Sequence, residues 1–263
     1  MTDLPSADAL LDLAREAGDA ILAVYRSSFE VMEKGDKSPL TAADLASHRV
    51  ICAGLGRLSP GVPVLSEESA AEPFETRAGW HRYWLVDPLD GTREFVGRNG
   101  EFTVNIALIE EHRPRLGVVL APDKGVAYVG GEGLGAMRIG PSGERCPIRV
   151  ERPHRVPVRV VGSRSHAGDS LARFLSNLGG HALVSMGSSL KLCLVAEGAA
   201  DVYPRLGPTS EWDTAAAQAV VEGAGGRVTD TTLQPLLYNT KASLLNPHFL
   251  VFGDGDVNWA GYL

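Results

Sequence analysis

The sequence predicts an α+β chain that turns α/β in its second part. Two rhythms predict it. From Glu101 to Gly140, short β-rich runs alternate with turn residues at Glu111–Pro114, Pro122–Gly125 and Gly130–Gly135, as in an antiparallel meander. After Pro157 the pattern becomes strand VRVVGSR, helix AGDSLARFLSNLG, strand HALVSM, helix LKLCLVAEG, strand ADVYP and helix DTAAAQAVVEGAGG. Such alternation calls for crossover units and a second layered sheet. The polar, proline-bearing stretch Glu151–Pro157 separates the two rhythms, so the expected parts are residues 1–152 and 153–263.

Ahead of the meander, Leu10, Ala14, Ala17, Ile21 and Tyr25 recur every three or four residues, one face of an amphipathic helix. The loop EKGDKSPL follows. Thr41 and Asp44 then form a T-x-x-D start for a second helix through Val50 and Leu55. VPVLSEES and RYWLVDP are short buried strands ending in acids, and TREF, after Gly91, begins a further helix.

With 44% apolar and 22% charged residues in 263, the chain has an ordinary globular composition and length for a sizeable core. A formal charge of -7 with no Lys/Arg cluster argues against non-specific nucleic-acid binding. Cys52, Cys146 and Cys193 form no CxxC pair, which argues against a thiolate zinc site or a disulfide framework. Acids throughout the first twenty residues break any signal-peptide core, and no uncharged apolar run spans a bilayer. The expected location is cytoplasmic.

The acids cluster at element ends: Asp44 opens a helix, Glu67 and Glu68 end one strand, Asp87 and Asp90 end another, and Asp213 opens a late helix. Taken singly, each has an ordinary role as a cap, turn or solvated strand end. Together they make an oxygen-only set suited to Mg²⁺ or Mn²⁺. Gly91 permits close backbone approach, and the helix start at Thr92 offers amides to an anion. Acids followed at once by an anion site describe metal-assisted phosphoester chemistry.

SEES at Ser66–Ser69, DPLDGT at Asp87–Thr92 and EWDTAAAQAVVEGAGG at Glu211–Gly226 resemble the lithium-sensitive, magnesium-dependent phosphatases of the inositol monophosphatase superfamily. The resemblance implies a layered αβαβα sandwich with the active site between its parts. By position it implies Glu67, Asp87, Asp90, Asp213 and the Leu89 carbonyl as metal ligands. Asp44 and Thr92 become the pair that orients and deprotonates the attacking water. Glu67, Gly91, Thr92 and Asp213 also meet the substrate. It further implies two or three Mg²⁺ ions, replaceable by Mn²⁺, with Li⁺ and Ca²⁺ as inhibitors.

KGDKSPLTAAD, DGTREFVGRNGEFTVNIALIE, GSRSH and GSSLKLCLVAEGAADVYPR are similar to bacterial 3′(2′),5′-bisphosphate nucleotidases. That similarity implies hydrolysis of the 3′-phosphate of adenosine 3′,5′-bisphosphate to AMP, and of its sulfated form, beside sulfate assimilation. His166, Ser188, Lys191 and Arg205 would then contact the nucleotide, and Arg suits a second phosphate. Read alone, Arg205 could instead pair with Glu211, and Ser163, Ser165 and Ser189 serve as turns or caps. Some members of this group associate peripherally with the inner membrane, for which the residues offer no anchor of their own. Oligomeric state is open. The rivals are an inositol-1-phosphate or fructose-1,6-bisphosphate phosphatase and a non-catalytic nucleotide sensor.

Overall fold

The computed structural model describes residues 5–26, 31–33, 39–69, 72–162 and 169–263. Helix α1 (Ala7–Tyr25) is capped by Ser6, whose hydroxyl accepts from the Ala9 amide at 3.1 Å. Its buried face carries Leu10, Ala14, Ala17, Ile21 and Tyr25, as the periodicity predicts. A ribbon of β1 (Val31–Glu33) and β2 (Pro39–Thr41) leads straight into α2 (Ala42–Leu58). Asp44 therefore falls in the first turn of α2, where the T-x-x-D pattern puts it.

One sheet contains β3 (Val64–Ser66), β4 (Arg82–Asp90), β5 (Thr103–Glu110), β6 (Arg113–Ala121), β7 (Val126–Gly131), β8 (Gly135–Ile139) and β9 (Arg145–Pro147), in that spatial order. Only β3 and β4 run parallel; the rest is the expected meander. The short helices α3 (Phe74–Arg77) and α4 (Thr92–Val96) flank β4 in sequence. The second sheet contains β10 (Val158–Gly162), β11 (His181–Ser185), β12 (Val202–Arg205), β13 (Arg227–Asp230) and β14 (Phe249–Phe252), ordered β11-β10-β12-β14-β13. Helices α5 (Asp169–Leu178), α6 (Leu190–Ala196) and α7 (Ala215–Gly223) complete the fold.

The crossover pattern holds for β10, β11 and β12, which pair in parallel. The last two strands do not follow it: β14 inserts antiparallel between β12 and β13. Each is four residues long, and in β14 all four are buried, so neither has a period that the sequence could display.

Alternation along the central strands sorts the core. On β4, Trp84 and Val86 face α1 and α2, whereas Tyr83 and Leu85 face α6 and α7. The α6/α7 layer is shared, because its core continues into Val161, Tyr203 and Val251 of the second sheet. Phe174 of α5 and Trp259 cover that sheet's outer face. The layers thus run helix, sheet, helix, sheet, helix, the predicted αβαβα sandwich. Among the described residues no helix is long and apolar enough to cross a membrane.

Close approach of α7 to the first sheet requires glycine. A Cβ on Gly117 of β6 would collide with the backbone carbonyl of Ala216, and one on Gly130 of β7 would lie 2.7 Å from Val220 Cα. Backbone cannot swing aside as a side chain can. Gly117→Ala is therefore expected to lower stability by about 3 kcal/mol, measured as a fall in the urea midpoint; an unchanged midpoint would refute this packing.

Candidate active site

The strand read from RYWLVDP runs on to Asp90, with an irregularity that aims the site. Asp87 pairs with Asn105 and Asp90 with Thr103, so three steps on β4 span two on β5. Strict pleating would point residues 87 and 90 to opposite faces. The bulge instead brings their carboxylates together with that of Asp213, all within 4.8 Å of one another. Inside the bulge the Leu89 amide donates to Asp87 Oδ1 at 3.0 Å, and Ser47 Oγ of α2 donates to the Pro88 carbonyl at 2.8 Å. Gly91 then turns the chain with φ 87°, and Thr92 opens α4.

Helix α2 presents Asp44, Ser47 and His48, three and four residues apart, along one face. Asp44 is buried, and its charge helps push the Asp87 carboxyl up. His48 Nδ1 lies 3.0 Å from Ser66 Oγ at the end of β3. The next amide, Glu67, donates to the Val86 carbonyl at 3.1 Å, which sets Glu67 beside Asp87. The adjacent glutamates part company here. Glu67 raises the pKa of Asp87, Asp90 and Asp213, whereas the charge of Glu68 acts on His48.

Burial first, and neighbouring carboxylates second, hold Asp87 well above the usual aspartate range. Burial likewise lifts Asp90 to about 6, against Lys191 and the Ser189 amide, and lifts Asp213 to about 8. An oxygen-only cluster this reluctant to ionise fits a hard divalent cation, and no His or Cys belongs to the cluster among the described residues. Asp213 does not open a helix, contrary to expectation. It closes a 3-10 turn, Glu211–Asp213, accepts from the Ser210 amide at 3.0 Å, and α7 begins only at Ala215.

A cavity beside the cluster gathers Asp90 and Asp213 with Ser188, Lys191 and Arg205. Ser188 adopts φ 45°, a costly conformation for a non-glycine. Its carbonyl accepts from Lys191 Nζ at 2.6 Å. Burial lowers the Lys191 pKa while Asp90 opposes that effect. Arg205 forms no ion pair with Glu211. Its Nε donates to Thr209 Oγ1 at 2.5 Å and its Nη2 to the Pro208 carbonyl at 2.7 Å. Glu211 is buried elsewhere, accepting from the Asn239 amide at 2.9 Å.

Among the cavity residues that the sequence reading did not place there are Thr209 and Ser189, whose amide donates to Asp90 Oδ2 at 2.5 Å. A turn-rich GPTS and a serine pair gave no signal apart from local structure. Ser189 does sit in a turn at the N-cap position of α6, but its hydroxyl makes no capping bond and reaches Asn105 Oδ1 at 2.7 Å instead. His166, Ser163 and Ser165 lie outside the described residues.

Residues 5–251 match the model of the inositol monophosphatase family. The chain is 52% identical over 249 residues to the 3′(2′),5′-bisphosphate nucleotidase CysQ of Escherichia coli strain K12, covering 93% of this chain and 98% of that one. It superposes with a TM-score of 0.80 on the crystal structure of CysQ from Bacteroides thetaiotaomicron, at 42% identity, covering 94% of this chain and 96% of the other. An inositol monophosphatase from Anabaena gives a TM-score of 0.72 at 26% identity, over 97% of this chain and 93% of its own. With the layered sandwich, the acid cluster and matches over nearly its whole length, the chain belongs to the inositol monophosphatase family.

Proposed function

We propose that the protein is a Mg²⁺-dependent 3′(2′),5′-bisphosphate nucleotidase that hydrolyses the 3′-phosphate of adenosine 3′,5′-bisphosphate to AMP and phosphate. The sulfated nucleotide is a second substrate in this reading. The observation that carries it is the cavity in which two cationic side chains, Lys191 and Arg205, stand beside Asp90 and Asp213. A substrate with one phosphate needs the acids and their metal; a substrate with two also needs cations of the protein's own. The bisphosphate nucleotidase name of relatives 52% identical over nearly full length supports the same choice.

Residues 1–152 supply most metal ligands in this reading, and residues 153–263 supply Asp213 and the nucleotide contacts. Glu67, Asp87, Asp90, Asp213 and the Leu89 carbonyl would hold Mg²⁺, with Mn²⁺ as a substitute and Li⁺ and Ca²⁺ as inhibitors. When bound, the ions acidify a water and neutralise phosphoryl charge. Asp44, buried next to Asp87, takes the proton of the attacking water, which Thr92 helps to orient. Gly91 lets the backbone come close to the phosphate at the start of α4. Arg205, fixed by Thr209 and Pro208, meets the second phosphate as a preformed fork. Lys191, Ser188 and His166 complete the nucleotide contacts.

Phosphate release should be fastest from adenosine 3′,5′-bisphosphate when it is compared with inositol 1-phosphate and fructose 1,6-bisphosphate, and should vanish with chelator. A sugar phosphate preferred over the nucleotide would overturn the substrate, and no release from any would favour a sensor. Arg205→Glu should lower kcat/KM for the nucleotide by roughly 100-fold, and that for inositol 1-phosphate far less; equal losses would remove Arg205 from substrate selection.

Asp90→Asn should lower kcat by on the order of 1,000-fold without lowering the Tm of the metal-free protein, because it relieves repulsion in the cluster. Near-normal turnover would take Asp90 out of the metal set. The raised carboxyls also fix a pH trend. Their contribution to metal-free stability is complete below the ordinary aspartate value of 3.8 and is lost as pH rises through about 6 for Asp90 and about 8 for Asp213. Added Mg²⁺ should thus raise Tm more at about pH 9 than at about pH 5; an equal rise at both would contradict binding at these acids.

A further inference from the structure

A closed ring of hydrogen bonds ties the start of α6 to β5 directly behind the acid cluster. Thr103 and Asn105 of β5 are the cross-strand partners of Asp90 and Asp87, and Ser189 immediately precedes α6. All three residues are buried. Ser189 Oγ donates to Asn105 Oδ1 at 2.7 Å, which uses its single proton. The 2.8 Å contact between Thr103 Oγ1 and Ser189 Oγ is therefore a donation by Thr103. Asn105 Nδ2 closes the ring by donating to Thr103 Oγ1 at 3.4 Å. Each hydroxyl gives one bond and accepts one, so the ring has a single direction.

The ring occupies a place where packing alone would put apolar groups. Along β5, residues 103, 105, 107 and 109 share one face, and Ala107 and Ile109 on it belong to the core shared with α6 and α7. A polar cluster there specifies one geometry, since a slipped ring would leave buried donors unmet. Two further bonds hold the same segment. The Ser189 amide donates to Asp90 Oδ2 at 2.5 Å and the Gly187 amide to Glu101 Oε2 at 2.8 Å.

We propose that Thr103, Asn105 and Ser189 act as a positioning unit that sets the spacing between the carboxylate cluster and the segment Ser188–Lys191, and so the fit of a ligand spanning both. The inference rests on the nucleotidase reading, because only a substrate that engages both places is sensitive to their separation. None of the three need touch it.

Thr103 offers the decisive pair of variants. Thr103→Val keeps the shape and loses the donor; Thr103→Ser keeps the donor and loses a methyl group. Thr103→Val is expected to raise KM for adenosine 3′,5′-bisphosphate about tenfold, whereas Thr103→Ser leaves KM within about twofold while lowering Tm. A packing role gives the opposite order, and that order, or wild-type KM in Thr103→Val, overturns the proposal. Should Thr103→Val not fold, Ser189→Ala breaks the ring at its other side and carries the same expected rise in KM. A wild-type protein that releases no phosphate from the nucleotide overturns the proposed function and this inference with it. A wild-type protein that does, with KM unmoved in the variants, overturns this inference alone.

Discussion

The mutual repulsion of buried carboxylates is the constraint around which this chain is organised. Asp87, Asp90 and Asp213 crowd within 4.8 Å, with Glu67 and Asp44 adding negative potential. A fold does not hold such a group together by the group's own interactions, so the scaffold must impose it. The bulge in β4 turns two acids to one side, Ser47 and His48 lash α2 to the two strands, and the Ser210 amide holds the Asp213 carboxylate within its own turn. The strain is local and the restraint comes from every layer that touches it.

Lys191 offsets part of that charge, at a cost of its own. It is buried, its ammonium bonded to a carbonyl whose residue, Ser188, adopts a left-handed backbone. Cation and acids are thus each poor solutions alone and acceptable as neighbours. Under the nucleotidase reading the same arrangement keeps charge in place for a ligand of high negative charge, and reorganises little when it arrives.

How much of this the sequence disclosed depends on whether a residue's role is local. The acids were legible because strand ends and helix starts carry recognisable patterns, and the meander because alternation and turns repeat. The choice between Glu67 and Glu68 was not legible from the residues, since pleating sends neighbours to opposite sides and the sequence does not say which side is which. Resemblance named Glu67 as the ligand, and in the structure its charge bears on all three aspartates. Thr103 and Asn105 escaped notice, and Ser189 was read only as a turn or cap, for a different reason: their partners across the ring lie 84 and 86 residues away, and a buried Thr or Asn in TVNIAL looks like an ordinary strand residue. Strands β13 and β14 were missed because four-residue runs carry no period.

Helix α7 has one more consequence. Its run of alanines, with Gly117 and Gly130 facing it, makes the layer between the two sheets thin, and the helix stands only two residues after Asp213. It serves as a shim. The gap between the sheets is machined to backbone tolerance at one end, and the acid cluster is set at the other, so the dimension that matters to the acids is gauged by residues that carry no charge at all.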